Sequence, residues 1–283
     1  METQIGIIGL GLIGGSLAIS LRNKVDESKI VSAFYSDEES LIALERGLVD
    51  EVLSFEDVCK TSNIIILATP VELIQQLLPK VLDLVSENTV VTDVGSTKKS
   101  ICDSIAYHPK RKQFVAAHPI AGTENNGPQA AIDGLFNGKL NILCDVEKSD
   151  KNAVNKVKEL FESVGMHTTF RDADEHDRQL AYVSHLSHAS SFMLGLTVLD
   201  MERNEENIFN LAGSGFESTV RLAKSSPEMW SSIFAQNKTN ILTALRSYIE
   251  NLQAFYQLIE SDNTSKTKEL MIAANEVRRV LKN

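Results

Sequence analysis

The stretch GIIGLGLIGGSLA, residues 6–18, decides the fold of this chain. It places the spacing Gly9-x-Gly11-x-x-Gly14 after an apolar strand and at the start of an apolar helix, which is the context of a dinucleotide-binding fingerprint. Gly9 permits the tight turn, Gly11 lets backbone amides approach a pyrophosphate, and Gly14 lets the helix pack against the strand. The amides and the dipole at the helix N-terminus then favour an anion. The stretch therefore predicts the first βαβ unit of a Rossmann-type sheet.

The residue that contacts the ribose of the dinucleotide is less sharply marked. It is expected about 20 residues after the glycines, and counting from Gly14 leads to Phe34, followed by Tyr35, Ser36 and Asp37. A carboxylate at this strand end favours NAD, whereas an arginine favours NADP. The pattern favours NAD, with Asp37 or Ser36 as the ribose contact, and it leaves NADP open. The full set of expected cofactor contacts is Gly9, Gly11, Leu12, Ile13, Gly14, Ser36, Asp37, Thr69 and Ser96.

The alternation of strands and helices continues well beyond the first unit. Short β-branched runs alternate with helical patterns as far as Arg171, which predicts a parallel, doubly wound sheet. The rest of the chain has helical periodicity and no convincing strand series. We therefore expect an α/β Rossmann-type domain over residues 1–171 and an all-α domain over residues 172–283. Apolar helical sequence such as Trp230–Ile259 is longer than a small domain needs to cover itself, so we expect the second domain to form a homodimer.

Composition and charge argue against several classes of function. The chain has 283 residues, 43% of them hydrophobic and 23% charged, and its formal net charge of −10 argues against a nucleic-acid surface. No apolar run reaches the roughly 18 residues that span a bilayer, and the N-terminus lacks the basic region of a signal peptide. The three cysteines fit neither a disulfide framework nor a zinc spacing. We therefore expect a cytoplasmic protein without nucleic-acid or membrane partners.

Small polar residues follow a further strand in VVTDVGSTKKS, residues 90–100. Ligands of open α/β sheets lie beyond the carboxyl ends of the strands, so Ser96, Thr97 and Lys98 are expected to face the cleft. A serine before a helix is also a common N-cap. The two roles are compatible for Ser96.

The stretch FVAAHPIAGTENNG, residues 114–127, carries a candidate catalytic histidine. The apolar run Phe114–Ala117 delivers His118 at its carboxyl end, and Pro119 biases the histidine to extended geometry. A lone histidine is more often structural than catalytic, but a position beside a dinucleotide cleft favours catalysis. A neutral imidazole can accept the proton of a substrate hydroxyl while a hydride leaves the same carbon. Because the neutral form is needed, activity is expected to fall below a pH of about 6.5.

The helical half contributes SHLSH, residues 184–188, and an arginine. His185 and His188 share one helix face. A metal site would need a further ligand, and His176 falls on the opposite face at about 100° per residue, so we expect no metal. Contact with a substrate carboxylate and simple packing both remain open for the pair. Arg221 lies near a glycine turn in an apolar segment, and it is either a surface residue or a bidentate clamp for a carboxylate.

Together these stretches resemble the prephenate dehydrogenase family over the length of the chain. The matching motifs are the GxGxxGGS loop, DVGSTK at 93–98, HPIAGTE at 118–124, SHLSH at 184–188 and GSGF…VRLAKSSPEMW within 213–230. The family usually has proline at the position of Ser187, and some members have a lysine near Glu217. The resemblance implies a Rossmann domain joined to a helical dimerisation domain. Because no chorismate mutase segment is visible, it also implies the monofunctional form.

The resemblance further implies an activity and a set of roles. The activity is the NAD(P)-dependent oxidative decarboxylation of prephenate to 4-hydroxyphenylpyruvate in tyrosine biosynthesis. His118 would accept the proton of the ring hydroxyl, Ser96 would bond that hydroxyl and help position the nicotinamide, and Arg221 would hold the ring carboxylate. The residues expected to line the rest of the pocket are His185 and His188, near the pyruvyl side chain, and Thr123 and Glu124.

Three alternatives remain open. An arogenate dehydrogenase would bind an ammonium in place of the side-chain keto group, and Glu217 would favour it if it faces the pocket. A β-hydroxyacid dehydrogenase of similar architecture would not need the HPIAGTE and SHLSH motifs. A dinucleotide-sensing regulator would have lost the chemistry, which the intact Ser96, His118 and Arg221 argue against.

Overall fold

The computed structural model describes residues 3–22, 24, 28–33, 37–125, 127–202 and 208–280, and at residues 37–39 it describes the backbone alone. The strands are β1 (Thr3–Ile8), β2 (Ser28–Ser32), β3 (Glu51–Val52), β4 (Ile64–Leu67), β5 (Val90–Asp93), β6 (Phe114–Pro119), β7 (Leu140–Cys144) and β8 (His167–Arg171). The α-helices are α1 (Leu12–Arg22), α2 (Asp37–Glu45), α3 (Phe55–Thr61), α4 (Val71–Leu84), α5 (Lys99–Ser104), α6 (Lys151–Ser163), α7 (Ala173–Leu180), α8 (Leu186–Glu202), α9 (Ser214–Val220), α10 (Pro227–Gln236), α11 (Lys238–Glu260) and α12 (Thr264–Ala274). A π-helical turn, Ala181–His185, joins α7 to α8. Short 3-10 helices cover Arg111–Gln113, Pro128–Ala130, Val146–Lys148, Ile208–Leu211, Arg221–Lys224 and Asn275–Arg279.

The strands form one sheet in the order β3-β2-β1-β4-β5-β6-β7-β8. Strands β1 to β6 run parallel, which confirms the doubly wound α/β sheet predicted from the sequence. The chain leaves β1 toward β2 on one side and later continues to β4 on the other, so the direction of winding reverses between β1 and β4. Ligands of such sheets bind at this switch point, beyond the carboxyl ends of the strands. The glycine-rich loop after β1 lies there.

The last two strands depart from the parallel pattern. β7 runs antiparallel to β6, with His118 opposite Ile142. A parallel return would need a crossover, usually an α-helix. The described residues between these strands form only the short 3-10 helix Pro128–Ala130, so the chain re-enters the sheet from the same end. α6 then supplies a crossover, and β8 runs parallel to β7.

Both faces of the sheet are buried at its central strands. In β4, Ile64 and Ile66 belong to one apolar cluster, and Ile65 and Leu67 belong to the other. This division follows from the alternation of side chains along a strand. Helices α1 and α6 cover the first face, and α3, α4 and α5 cover the second. Burial on both faces holds the carboxyl ends of the strands in place, and those ends carry the candidate site.

The helices after β8 are far less enclosed. In α11 only Ile241 and Ala244 are buried, and no residue of α12 is buried. The apolar segment Trp230–Ile259, expected as one helical stretch, is divided between α10 and α11 at Asn237. The break has a physical reason, because the buried side chain of Asn237 donates a hydrogen bond to the carbonyl oxygen of Asp177 at 2.7 Å. Within the described ranges, no helix combines the length and the apolar character that crossing a bilayer requires.

Candidate active site

The loop between β1 and α1 has the shape that a pyrophosphate requires. Gly9 adopts a φ of +97°, which strains other residues. A Cβ on Gly14 would overlap the carbonyl oxygen of Gly9, whereas a Cβ on Gly11 would enter open space. α1 begins at Leu12, and the amides of Leu12, Ile13 and Gly14 have no acceptor within the helix. The open face at Gly11 and these amides fit the phosphates of a dinucleotide.

We call the loop from Gly9 to Gly14 the glycine cradle. A second feature near it is a buried hydroxyl, just after the neighbouring strand, that has no hydrogen-bond partner in the part of the chain that the structure describes. Thr69 follows β4, which pairs with β1. Its Oγ1 atom is buried and has no hydrogen-bond partner among the described residues, although buried polar atoms are nearly always paired. A bound ligand with a polar group at this place would satisfy it. The predicted ribose contacts Ser36 and Asp37 lie outside the described residues, apart from the backbone of Asp37 at the start of α2.

His118 lies at the carboxyl end of β6, a strand in which every residue is buried, and is itself only 8% exposed. β6 pairs with β5, and Ser96 lies half-buried in the loop that follows β5. The sheet therefore brings the two predicted catalytic residues to neighbouring strand ends. Packing on both sides of β6 keeps the imidazole in a defined position.

A buried ion pair ties these two strand ends together. The ammonium of Lys98 pairs with Asp93 and also donates to the carbonyl oxygen of Ala117 at 2.8 Å. Asp93 in turn accepts the backbone amide of Ala117 at 3.2 Å. Lys98 and Thr97 are fully buried, so the expectation that both face the cleft is wrong. Lys98 anchors β6 from inside the sheet domain, and Thr97 donates a hydrogen bond of 2.9 Å to the last residue of α10.

α7 contributes two residues that the sequence pattern did not indicate. His176 is fully buried, and its Nε2 lies 2.8 Å from Nδ1 of His118. Nδ1 of His176 lies 2.8 Å from Oδ1 of Asp177. The spacing between His176 and His185 argues only against a metal site, and it does not indicate a contact between His176 and His118. The available signal was the adjacent His-Asp pair in the first helix after the last strand.

The surroundings of His118 keep its imidazole neutral. Burial, followed by the neighbouring His176, Lys98 and His185, lowers the pKa of His118 well below its usual 6.5. A neutral imidazole is the form that accepts a proton. The expected value of about 6.5 belongs to a solvated histidine. With the lowered pKa of His118, we expect the loss of activity at a more acidic pH.

Both histidines of SHLSH pack against one tryptophan. His188 stacks on Trp230 with 3.5 Å between ring centroids, and His185 meets the same ring edge-on at 5.8 Å. Burial lowers the pKa of His185 to about 4. Burial, and also the charge of Arg221, lower the pKa of His188, against a backbone hydrogen bond that raises it. His185 ends the π-helical turn, a distortion that is frequent at functional sites. Among the described residues, no group of three or more potential ligands could hold a metal ion.

Arg221 connects the helical half with the loop after β6. Its Nη1 lies 3.3 Å from Oε2 of Glu124, and 52% of its side chain is exposed. Thr123 precedes this glutamate, is exposed, and accepts the amide of Asn125 at 3.2 Å. The charge of Arg221 also lowers the pKa of His188. Arg221 therefore interacts with the loop after β6 through Glu124 and with α8 through His188. The guanidinium is half-exposed and so remains accessible to an anionic ligand.

Two known family models match successive parts of the chain. Residues 17–170 match the family model described as prephenate dehydrogenase, nucleotide-binding domain. Residues 172–273 match the model described as prephenate dehydrogenase, dimerization domain. The chain is also 31% identical to a prephenate dehydrogenase of Bacillus subtilis over 285 residues, which cover 98% of this chain and 76% of the relative.

Solved structures resemble the chain over nearly its whole length. Prephenate dehydrogenase from A. aeolicus, in complex with hydroxyphenyl propionate and NAD+, has a TM-score of 0.90 at 32% identity, and the match covers 100% of this chain and 99% of that one. Synechocystis arogenate dehydrogenase has a TM-score of 0.78 at 29% identity, with 98% and 99% covered. These matches agree with the dinucleotide cradle and with the family that the motifs indicate. The chain belongs to the prephenate dehydrogenase family of oxidoreductases.

Proposed function

We propose that this chain catalyses the NAD-dependent oxidative decarboxylation of prephenate to 4-hydroxyphenylpyruvate. The observation that carries the proposal is the neutral, buried His118 at the end of β6, on the edge of the sheet where the glycine cradle opens. When bound, the nicotinamide supplies the hydride acceptor. The protein must then supply a proton acceptor and hold the substrate, and each task has a residue suited to it.

His118 is suited to remove the hydroxyl proton. Prephenate carries a hydroxyl on one ring carbon and a carboxylate on the opposite carbon. As hydride leaves the hydroxyl-bearing carbon, Nε2 of His118 takes the hydroxyl proton, and Ser96 bonds the same oxygen. The dienone that results is a vinylogous β-keto acid, so it loses CO2 as the ring becomes aromatic. General-base help of this kind is typically worth about 10²–10⁴-fold in rate.

Arg221 is suited to hold the ring carboxylate. Its guanidinium is half-exposed, and its partner Glu124 lies at 3.3 Å, a loose contact that a substrate carboxylate can replace. His185 and His188 lie against Trp230, and their rings form the wall next to the pyruvyl side chain without adding charge. Thr123, in the loop after β6, shapes the remaining wall.

Arogenate is the second candidate substrate. The chain resembles a solved arogenate dehydrogenase at 29% identity over 98% of its length. Arogenate differs from prephenate by an ammonium in place of the side-chain keto group. Glu217, on α9, is exposed, so its carboxylate is available to such a cation only if the pocket extends to it. We favour prephenate because the groups around Trp230 are neutral.

We assign residues 172–283 to a helical domain that forms a homodimer. α11 presents an apolar stripe of side chains at helical spacing, each 49–61% exposed: Leu242, Ile249, Leu252, Tyr256 and Ile259. A stripe of this kind normally faces a core or a partner, and the matching family model is described as a dimerization domain. The three cysteines are buried and free, which supports a reducing compartment such as the cytoplasm.

A spectrophotometric assay that crosses prephenate and arogenate with NAD and NADP tests the proposal. The expected result is the highest kcat/KM with prephenate and NAD, and a large loss with either replacement. A higher kcat/KM with arogenate would transfer the assignment to the second candidate. Binding of NAD without reduction of it in the presence of either substrate would contradict the proposal and favour a dinucleotide-sensing regulator.

A further inference from the structure

Three buried side chains form a continuous hydrogen-bonded row behind the candidate base. Nδ1 of His118 lies 2.8 Å from Nε2 of His176, and Nδ1 of His176 lies 2.8 Å from Oδ1 of Asp177. None of the three is more than 8% exposed. The row crosses from β6 of the sheet to α7 of the helical half. It contacts His118 only through Nδ1, which leaves Nε2 as the ring nitrogen free for a substrate.

The direction of each hydrogen bond in the row follows from the donors at its far end. The backbone amides of Lys98 and Lys99 donate to Oδ1 and Oδ2 of Asp177 at 2.8 Å and 2.9 Å. Oδ1 of Asp177 already accepts the Lys98 amide, so Nδ1 of His176 donates to the same oxygen. When the His176 ring carries only this one proton, its Nε2 is an acceptor. Nδ1 of His118 then donates to it, and Nε2 of His118 carries the free lone pair.

We propose that His176 and Asp177 are positioning residues for His118: they hold its neutral ring in the tautomer with hydrogen on Nδ1 and a lone pair on Nε2. This inference rests on the proposed function, because it names the nitrogen that receives the substrate proton. A histidine can only serve as the base if the nitrogen facing the substrate is unprotonated. The row selects that nitrogen before the substrate binds.

The row also offsets an unfavourable environment for the charged ring. Burial and positive charge at His176, Lys98 and His185 disfavour a cation at His118, and a neutral His176 removes one of these charges. Proton transfer breaks the O–H bond of the substrate and forms an N–H bond at Nε2, which makes the ring an imidazolium. Its Nδ1–H then faces the acceptor Nε2 of His176, whose ring is polarised by the Asp177 carboxylate. A buried charge needs compensation of this kind.

A purely structural role is the competing explanation, and it applies mainly to Asp177. This carboxylate also holds the amides at the start of α5, so its removal would disturb the loop that carries Ser96. His176 makes no contact of that kind among the described hydrogen bonds, where its side chain bonds only to His118 and Asp177. Variants of His176 therefore separate positioning from support of the fold.

The kinetic test compares His176→Phe with His176→Gln. Phenylalanine fills the space but accepts no hydrogen bond, so we expect kcat to fall by about 10²-fold with KM and the NAD Kd within about threefold of wild type. Glutamine places an amide oxygen near the former Nε2 and can accept from Nδ1 of His118, so it should recover most of the loss. His108→Gln is the matched control, because His108 pairs with Asp83 at 3.1 Å on the surface, and this variant should leave kcat unchanged.

A spectroscopic test gives an answer that does not depend on turnover. In protein labelled with 15N-histidine, long-range 1H–15N spectra identify the protonated ring nitrogen, and the His118→Asn variant assigns the signals. We expect His118 to be protonated at Nδ1 in wild type and in His176→Gln, and to shift toward protonation at Nε2 in His176→Phe. Protonation at Nε2 in the wild-type protein would overturn the inference. So would unchanged kcat in a folded His176→Phe variant. Failure of the proposed function would instead appear as wild-type protein that reduces no NAD, whatever the tautomer.

Discussion

The two halves of the chain bury their apolar side chains in different ways. Strands β4 and β6 are buried along their whole length, and two apolar clusters cover the two faces of the sheet. In the helical half, α11 buries only Ile241 and Ala244 and exposes an apolar stripe beside them. The sheet half therefore completes its core within one chain. The helical half has apolar surface left over, which is what a subunit interface requires.

The candidate site lies where these unlike halves meet, and each half contributes a different kind of group. In our proposal, the sheet half supplies His118 as the base and the glycine-rich loop for the cofactor. The helical half supplies His176 and Asp177, which contact the ring of His118 from behind, and Arg221, which pairs with Glu124. We infer that the chemical step depends on the sheet half. Substrate binding and dimer assembly depend on the helical half, which has exposed apolar side chains. Three variants and one pH profile test this division.

The largest effect on kcat is expected from a substitution of His118, in the sheet half. His118→Asn removes the proton acceptor, so kcat should fall by about 10²–10⁴-fold. The NAD Kd should stay near that of wild type, because the glycine cradle is on β1 and α1. Steady-state assays and calorimetric titration with NAD measure the two quantities. Near-normal turnover in the variant would remove His118 from the mechanism.

The pH dependence of kcat/KM sharpens the same prediction. Only the neutral ring accepts a proton, so activity is lost as pH falls through the pKa of His118. Burial and nearby positive charge lower this pKa well below 6.5, so the acid limb of the wild-type enzyme should lie below pH 6.5. The residual activity of His118→Asn should lack this limb. A wild-type limb at or above pH 6.5 would contradict the neutral, buried state of the ring.

The next effect is expected on the apolar face of α11 that we propose as the dimer interface. Ile249→Glu combined with Leu252→Glu places two charges on the α11 stripe, where the residues are 52% and 49% exposed in the single subunit. Burying an unpaired charge at an interface costs several kcal/mol, so the dimer Kd should rise by at least about 100-fold. Sedimentation velocity over a concentration series measures this change. Tyr107→Glu is the control, since Tyr107 is 100% exposed in the sheet half. A double variant that remains dimeric would place the interface elsewhere.

The smallest effect is expected at Arg221. Arg221→Ala removes a contact that is made in both the ground state and the transition state, so KM for prephenate should rise about tenfold or more while kcat changes little. Arg171→Ala removes another exposed arginine, at the end of β8, and should leave KM unchanged. A fall in kcat with constant KM would instead give Arg221 a role in the chemical step.

Local patterns predicted much of the fold and part of the site. The glycine cradle can be predicted because its requirements are local: a tight turn at Gly9, open space at Gly11 and close packing of helix against strand at Gly14. The family indicated by the motifs is confirmed by the matches to both family models. The contact between His176 and His118 has no local signal in the sequence, because the two residues lie 58 positions apart in the chain. The direction of β7 was missed because it depends on the path of a loop.

The sequence by itself determined the βαβ start, the strand that carries His118, the helical second half and the family, since all of these depend on short-range spacing and periodicity. Tertiary structure alone decided that Lys98 is buried against Asp93, that burial lowers the pKa of His118, and that His176 and Asp177 line up behind Nδ1 of His118. Charge, protonation and tautomer depend on what surrounds a group in space. That environment exists only when β6, α5 and α7 have packed together.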